Sequence, residues 1–108
     1  MVIEYIRYEI AAERHAEFLA AYAAAARELE QSEHCLRYQV SQGIEEPDNF
    51  TVRIEWNSLD GHTRGFRSSA EFPAFLAKVK PFFEQIREMK HYRVMTEGQG
   101  KAQGSRQA

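Results

Sequence analysis

The sequence predicts one α+β domain with its elements in the order β-α-β-β-α-β, and three features predict it. Residues 2–10 are β-branched and aromatic, residues 11–32 change to an apolar period of three to four, and residues 35–56 return to alternation before a second, aromatic helical stripe. A chain of 108 residues has room for a single domain. Its formal charge of -2, with 44% hydrophobic and 28% charged residues, carries no nucleic-acid footprint and no polyanionic tail. The opening VIEYIRYEI is interrupted by Glu4, Arg7 and Glu9, so it reads as neither a signal peptide nor a membrane span, and a cytoplasmic protein is expected. The single cysteine, Cys35, has no internal disulfide partner and reads as a buried, inert thiol.

In the first strand, Val2, Ile6, Tyr8 and Ile10 share one side and Ile3 and Tyr5 the other, so both faces carry apolar groups. Phe18, Tyr22, Ala25, Ala26 and Leu29 then form the stripe of an alanine-rich amphipathic helix over 11–32. Cys35 to Gln42 alternates Leu36, Tyr38 and Val40 against Cys35, Arg37, Gln39 and Ser41. Phe50 to Trp56 alternates Phe50, Val52, Ile54 and Trp56 against Thr51, Arg53 and Glu55. The Gly, Pro, Asp and Asn residues between them predict an antiparallel hairpin. Ser58 is placed to cap a short helix that ends near Phe66, weakened by Gly61 and Gly65. Ser68 or Ser69 caps a second helix with Pro73 in its first turn, and Pro81 predicts a kink or break. The last strand is expected over 88–96, with Tyr92 and Val94 on one face and His91, Arg93 and Met95 on the other. The domain is thus residues 1–96, and 97–108, EGQGKAQGSRQA, is expected to be a disordered tail.

This order is the ferredoxin-like arrangement, which leaves one sheet face without helices. That face includes Ile3 and Tyr5 beside Cys35, Arg37, Thr51, Arg53 and Glu55, too apolar a mixture for water, and a second copy covering it predicts a homodimer.

The segment IEWNSLDGHTRGFRSSAEFPAFLAKVKPFF, with CLRYQV and the closing MKHYRV, resembles the antibiotic biosynthesis monooxygenase family of dimeric α+β barrel proteins over about residues 2–96. The resemblance implies a cofactor-independent monooxygenase that uses dioxygen on a small electron-rich aromatic such as a hydroquinone or anthrone, without flavin or metal. The substrate loses a proton, and its anion gives one electron to dioxygen before the two radicals combine. Such chemistry needs an apolar cavity between helices and sheet, a proton acceptor, and donors aimed at the anion.

Trp56 and His62 are the expected catalytic pair: an indole wall with one N–H donor, and an imidazole that accepts a phenolic proton. Trp56 equally suits core packing at a strand end, and a lone His62 suits a partly exposed helix position somewhat better than a catalytic one. Tyr38, Asn57, Phe66, Arg67, Phe75 and Tyr92 are the expected substrate contacts, with turn formation the competing role for Asn57, a solvated position for Arg67, and packing for the aromatics. His15, His34, His62 and His91 show no metal-ligand spacing, so no bound metal is expected. The haem-degrading branch of this fold places a histidine further along than His62 and an asparagine on the first strand; this chain has Arg64 to Arg67 in the former region and no asparagine in the latter, which disfavours haem breakdown. The competing class is a catalytically silent dimer that binds a small aromatic ligand or serves as an interaction module. A cavity filled by Phe66 and Phe75 would mark that class.

Overall fold

The computed structural model describes residues 1–102. Its elements are β1 (Val2–Glu9), α1 (His15–Gln31, entered through a 3-10 turn at Ala12–Arg14), β2 (Cys35–Gln42), β3 (Asn49–Trp56), a short helix (Gly61–Phe66), α2 (Phe72–Val79), a 3-10 segment (Lys80–Gln85) and β4 (Ile86–Arg93). The strands form one antiparallel sheet in the order β2-β3-β1-β4, the ferredoxin-like order. Both helices pack on one face. Of the expected tail, 103–108 lies outside the described residues.

The predicted stripe of α1 is its buried face: Phe18, Tyr22, Ala25, Ala26 and Leu29. Its alanines let the helix lie close to the sheet, where Ile6, Tyr8, Phe50, Val52, Ile54 and Trp56 meet it in a single core with Phe66, Phe75, Val79 and Phe82. Pro73 sits in the first turn of α2, and Pro81 opens the 3-10 segment that ends the helical stretch, as its missing N–H requires. Ser69 does not cap α2; its hydroxyl donates instead to the Phe66 carbonyl. The last strand begins at Ile86 rather than Glu88, because the 3-10 segment delivers Ile86 directly opposite Tyr8.

One expectation of strict alternation fails in β2. The pairing shifts between Cys35 and Arg37, which face Trp56 and Glu55, so Leu36 is the extra residue of a bulge and is 53% exposed. Cys35 consequently packs against the helix-side core instead of the open face, and burial pushes its thiol up to about 11, away from thiolate chemistry.

The open face carries Ile3, Tyr5, Arg37, Arg53, Glu55 and Tyr92. Together with the chain after β4, from Val94 to Gln99, they line a shallow groove. Glu55 is buried there against Arg53 and, at 3.4 Å, Arg37, while Tyr92 stacks edge-on against Tyr5 and stays 50% exposed. Among the described residues no helix is long and apolar enough to cross a membrane.

Deep in the core the Tyr8 and Tyr22 hydroxyls bond to each other, and burial pushes the Tyr8 phenol up to about 12 and that of Tyr22 upward as well. Unfolded phenols ionise near about 10, so the unfolded chain releases these protons first. The stability they confer is therefore present below about pH 10 and is lost as pH rises through about 12. Urea denaturation across this window should show the protein losing on the order of a few kcal/mol as the hydrogen-bonded pair ionises. A Tyr8→Phe, Tyr22→Phe double variant should lose much less; an equal loss would exclude the pair as its cause.

Candidate functional site

Between the helices and the sheet lies a cavity of about 410 Å³, within the roughly 300–1,000 Å³ span of small-molecule sites. Its floor is the helix-facing row of β1, Glu4, Ile6 and Tyr8, with Ile54 and Trp56 from β3 and Ile86 and Met89 from β4. Its roof is Phe66, the last residue of the short helix, with Arg67 directly after it, and Phe72, Phe75, Leu76 and Val79 of α2. Phe66 and Phe75 are walls of this space and leave it open.

The polar groups gather at one end. Glu4 has the same strand parity as Ile6 and Tyr8, so its carboxylate is carried to the covered face and is only 3% exposed. Trp56, diagonal to it on β3, donates its indole N–H to Glu4 Oε1 at 3.1 Å. Burial raises the Glu4 carboxyl above the ordinary range, opposed by this hydrogen bond and by the charge of Arg67.

The short helix brings His62 onto this pair. Ser58 caps its start as expected, accepting the Gly61 N–H at 2.8 Å. The helix is wound wide, with the Arg67 N–H reaching the His62 carbonyl five residues back at 3.3 Å. Gly61 and Gly65 allow close approach: a Cβ at Gly61 would push the Asn57 amide aside, and one at Gly65 the His34 ring. Seated this tightly, His62 stacks on Trp56 with ring centroids 4.5 Å apart and planes 12° from parallel.

His62 Nε2 lies 3.5 Å from Glu4 Oε1, and His62 Nδ1 lies 2.7 Å from His91 Nε2. His91 reaches this position because β1 and β4 pair Glu4 directly with His91. Burial, then the charges of Arg67 and His91, push His62 down to about 4; burial and Arg67 lower His91 as well. Both rings are therefore neutral at neutral pH. A proton placed on His62 has two exits, Glu4 on its Nε2 side and the partly exposed His91 on its Nδ1 side.

Of the expected site residues, Trp56, His62, Phe66, Arg67 and Phe75 converge on this cavity. Tyr38, Asn57 and Tyr92 are placed elsewhere. Tyr38 has the right parity but lies on edge strand β2, where its hydroxyl donates to Glu30 of α1. Asn57 is exposed beside the His34 ring, 3.4 Å away, and shapes the turn. Tyr92 pairs with Ile3 and points to the open face. Glu4 and His91 are the residues that sequence reasoning passed over. A carboxylate in phase with Ile6, Tyr8 and Ile10 was the available signal for Glu4. For His91 only the β1–β4 register supplies it.

A sequence model of the antibiotic biosynthesis monooxygenase family matches residues 1–78. The Bacillus subtilis (strain 168) protein YczJ is 28% identical over 76 residues, 70% of this chain and 80% of its own. Among solved structures, a mutant form of SnoaB, a cofactor-independent oxygenase from Streptomyces nogalater, superposes with a TM-score of 0.74 at 15% identity, over 89% of this chain and 94% of that one. A Bordetella bronchiseptica protein assigned to the same family gives 0.71 at 24% identity, over 88% and 97%. At these identities the structural likeness is one of fold.

Replacing Trp56 with Phe would leave the buried Glu4 carboxylate without its indole donor. The variant should lose about 1–3 kcal/mol of stability, read by urea denaturation followed by circular dichroism. An unchanged midpoint would mean that this hydrogen bond does not hold Glu4 in place.

Proposed function

The chain belongs to the antibiotic biosynthesis monooxygenase family, and we propose that within it this protein acts as a cofactor-independent monooxygenase on a small electron-rich aromatic of the hydroquinone or anthrone type. The observation that carries this reading is the open apolar cavity with its polar groups clustered at one end, beside a neutral imidazole. A silent binding module would have been favoured by a cavity filled by Phe66 and Phe75.

The substrate lies between the aromatic roof and β1 with its oxygen toward His62. His62 accepts its proton and passes it toward His91 and solvent, while Arg67 offsets the charge of the substrate anion. That anion transfers one electron to dioxygen, and the radical pair combines at the ring or methylene carbon. Cleavage of the O–O bond leaves one oxygen on the substrate as a carbonyl, and the other departs as water. For an anthrone the balance is CH2 plus O2 giving C=O plus H2O, with the substrate supplying every electron. Trp56 forms the wall against which His62 is stacked, and Phe66 and Phe75 select flat substrates.

The working unit in this proposal is a homodimer closed through the open sheet face, where Tyr92 and Met95 leave apolar surface exposed. Tyr92→Glu should convert the dimer into a monomer in light-scattering measurements at micromolar concentration; a dimer that persists would place the contact elsewhere.

Oxygen uptake by metal-free protein with an anthrone, after subtraction of autoxidation, should saturate with substrate. In His62→Ala it should fall by about 10²-fold or more, the usual contribution of a general base. Phe75→Trp, which narrows the cavity, should raise KM. Uptake no faster than autoxidation for a panel of anthrones and hydroquinones, or unaffected by His62→Ala, would contradict the proposal.

A further inference from the structure

Three side chains able to ligate a transition metal meet at the polar end of the cavity, each from a different element. Glu4 and His91 are direct cross-strand partners on the same face, so their Cβ atoms lie about 4.5–5.5 Å apart by sheet geometry alone. His62 descends on them from the short helix. One ligand atom from each of the three lies within 4.8 Å of those from the other two. In a tetrahedral site with metal–ligand bonds of about 2.0–2.2 Å, donor atoms are roughly 3.4 Å apart. The 3.5 Å from Glu4 Oε1 to His62 Nε2 matches this, whereas His91 approaches the opposite ring nitrogen, His62 Nδ1, at 2.7 Å, so to share one ion the His91 ring has to swing across to the Nε2 side. His91 is the group free to move, since it stands on an edge strand and is partly exposed.

We propose that Glu4, His62 and His91 form a site for one divalent transition ion of the zinc class, with the cavity offering the fourth coordination position. Two imidazoles and one carboxylate suit Zn²⁺, Co²⁺ and Ni²⁺ and exclude Mg²⁺ and Ca²⁺, which need a shell of oxygens. The Trp56 indole, already bonded to Glu4, serves as the outer-sphere group that orients the carboxylate. Arg67 faces the same end and opposes the ion's charge, so the Glu4 carboxylate is indispensable to the site. The bound ion occupies the lone pair that His62 would use for a substrate proton and therefore inhibits oxygenation. Only this inhibition rests on the monooxygenase reading; the binding does not.

The test uses the untagged full chain, stripped with a chelator and titrated with Co²⁺ in the absence of substrate. The site predicts a visible d–d absorption band that saturates at one equivalent per chain and is displaced by Zn²⁺. His91→Ala and Glu4→Gln, their folds verified by circular dichroism, should weaken binding by more than the roughly 10–100-fold typical of losing an outer-sphere partner. His34→Ala should bind as the parent does. No saturable band, or a band that His91→Ala leaves unchanged, would overturn the site. Because the assay involves no turnover, a protein that oxidises nothing can still bind the ion, and one that binds no ion can still consume oxygen.

Discussion

A buried carboxylate on the first strand sets the terms for much of this molecule. Glu4 stands among apolar side chains, and taking such a group out of water without partners would cost several kcal/mol. The Trp56 indole N–H, the His62 ring and the nearby charge of Arg67 meet that requirement, and each comes from a different point along the chain. Satisfying Glu4 thus fixes the end of β3 and the seating of the short helix. The same groups that make its burial tolerable are those that give the cavity its chemistry. Among the described residues every buried side-chain nitrogen and oxygen has a partner, so this concentration of polarity is a satisfied network within the core.

The architecture explains why the cavity is where it is. The alanine face of α1 packs close to the sheet, whereas α2 is only eight residues long and ends where Pro81 forces the chain into a 3-10 segment. The space left between the short helix, α2 and the β1–β4 side of the sheet is lined by aromatic rings too large to collapse fully into it. Phe66 illustrates the compromise: it contacts Trp56, Phe72 and Phe75 as a core residue does, yet presents one surface to the cavity.

The elements themselves were legible in the sequence wherever a single periodicity governed. The buried stripe of α1, the hairpin around Pro47-Asp48-Asn49 and the break at Pro81 follow from local chemistry, and so does the Ser58 cap. What local reading missed depends on registers that no short window contains. The bulge at Leu36 reverses the parity of Cys35. Tyr38 has the correct parity but lies at the sheet edge, where it meets Glu30 before any cavity. His91 showed no metal-ligand spacing with the other histidines; the β1–β4 ladder turns a separation of 29 residues from His62 into a 2.7 Å contact. Glu4 was visible as a charge in phase with an apolar row, but its partner Trp56 lies 52 residues away.

Because the chain has a single tryptophan, one resonance reports on the central contact without ambiguity. In a ¹H–¹⁵N NMR spectrum the Trp56 indole N–H should appear downfield, as a proton held by a carboxylate does, should exchange slowly with water, and should shift when an anthrone is added. An indole proton that exchanges freely and stays unmoved at saturating ligand would show that Glu4 and Trp56 are not joined at the end of a binding cavity, and the account of this site would fail with it.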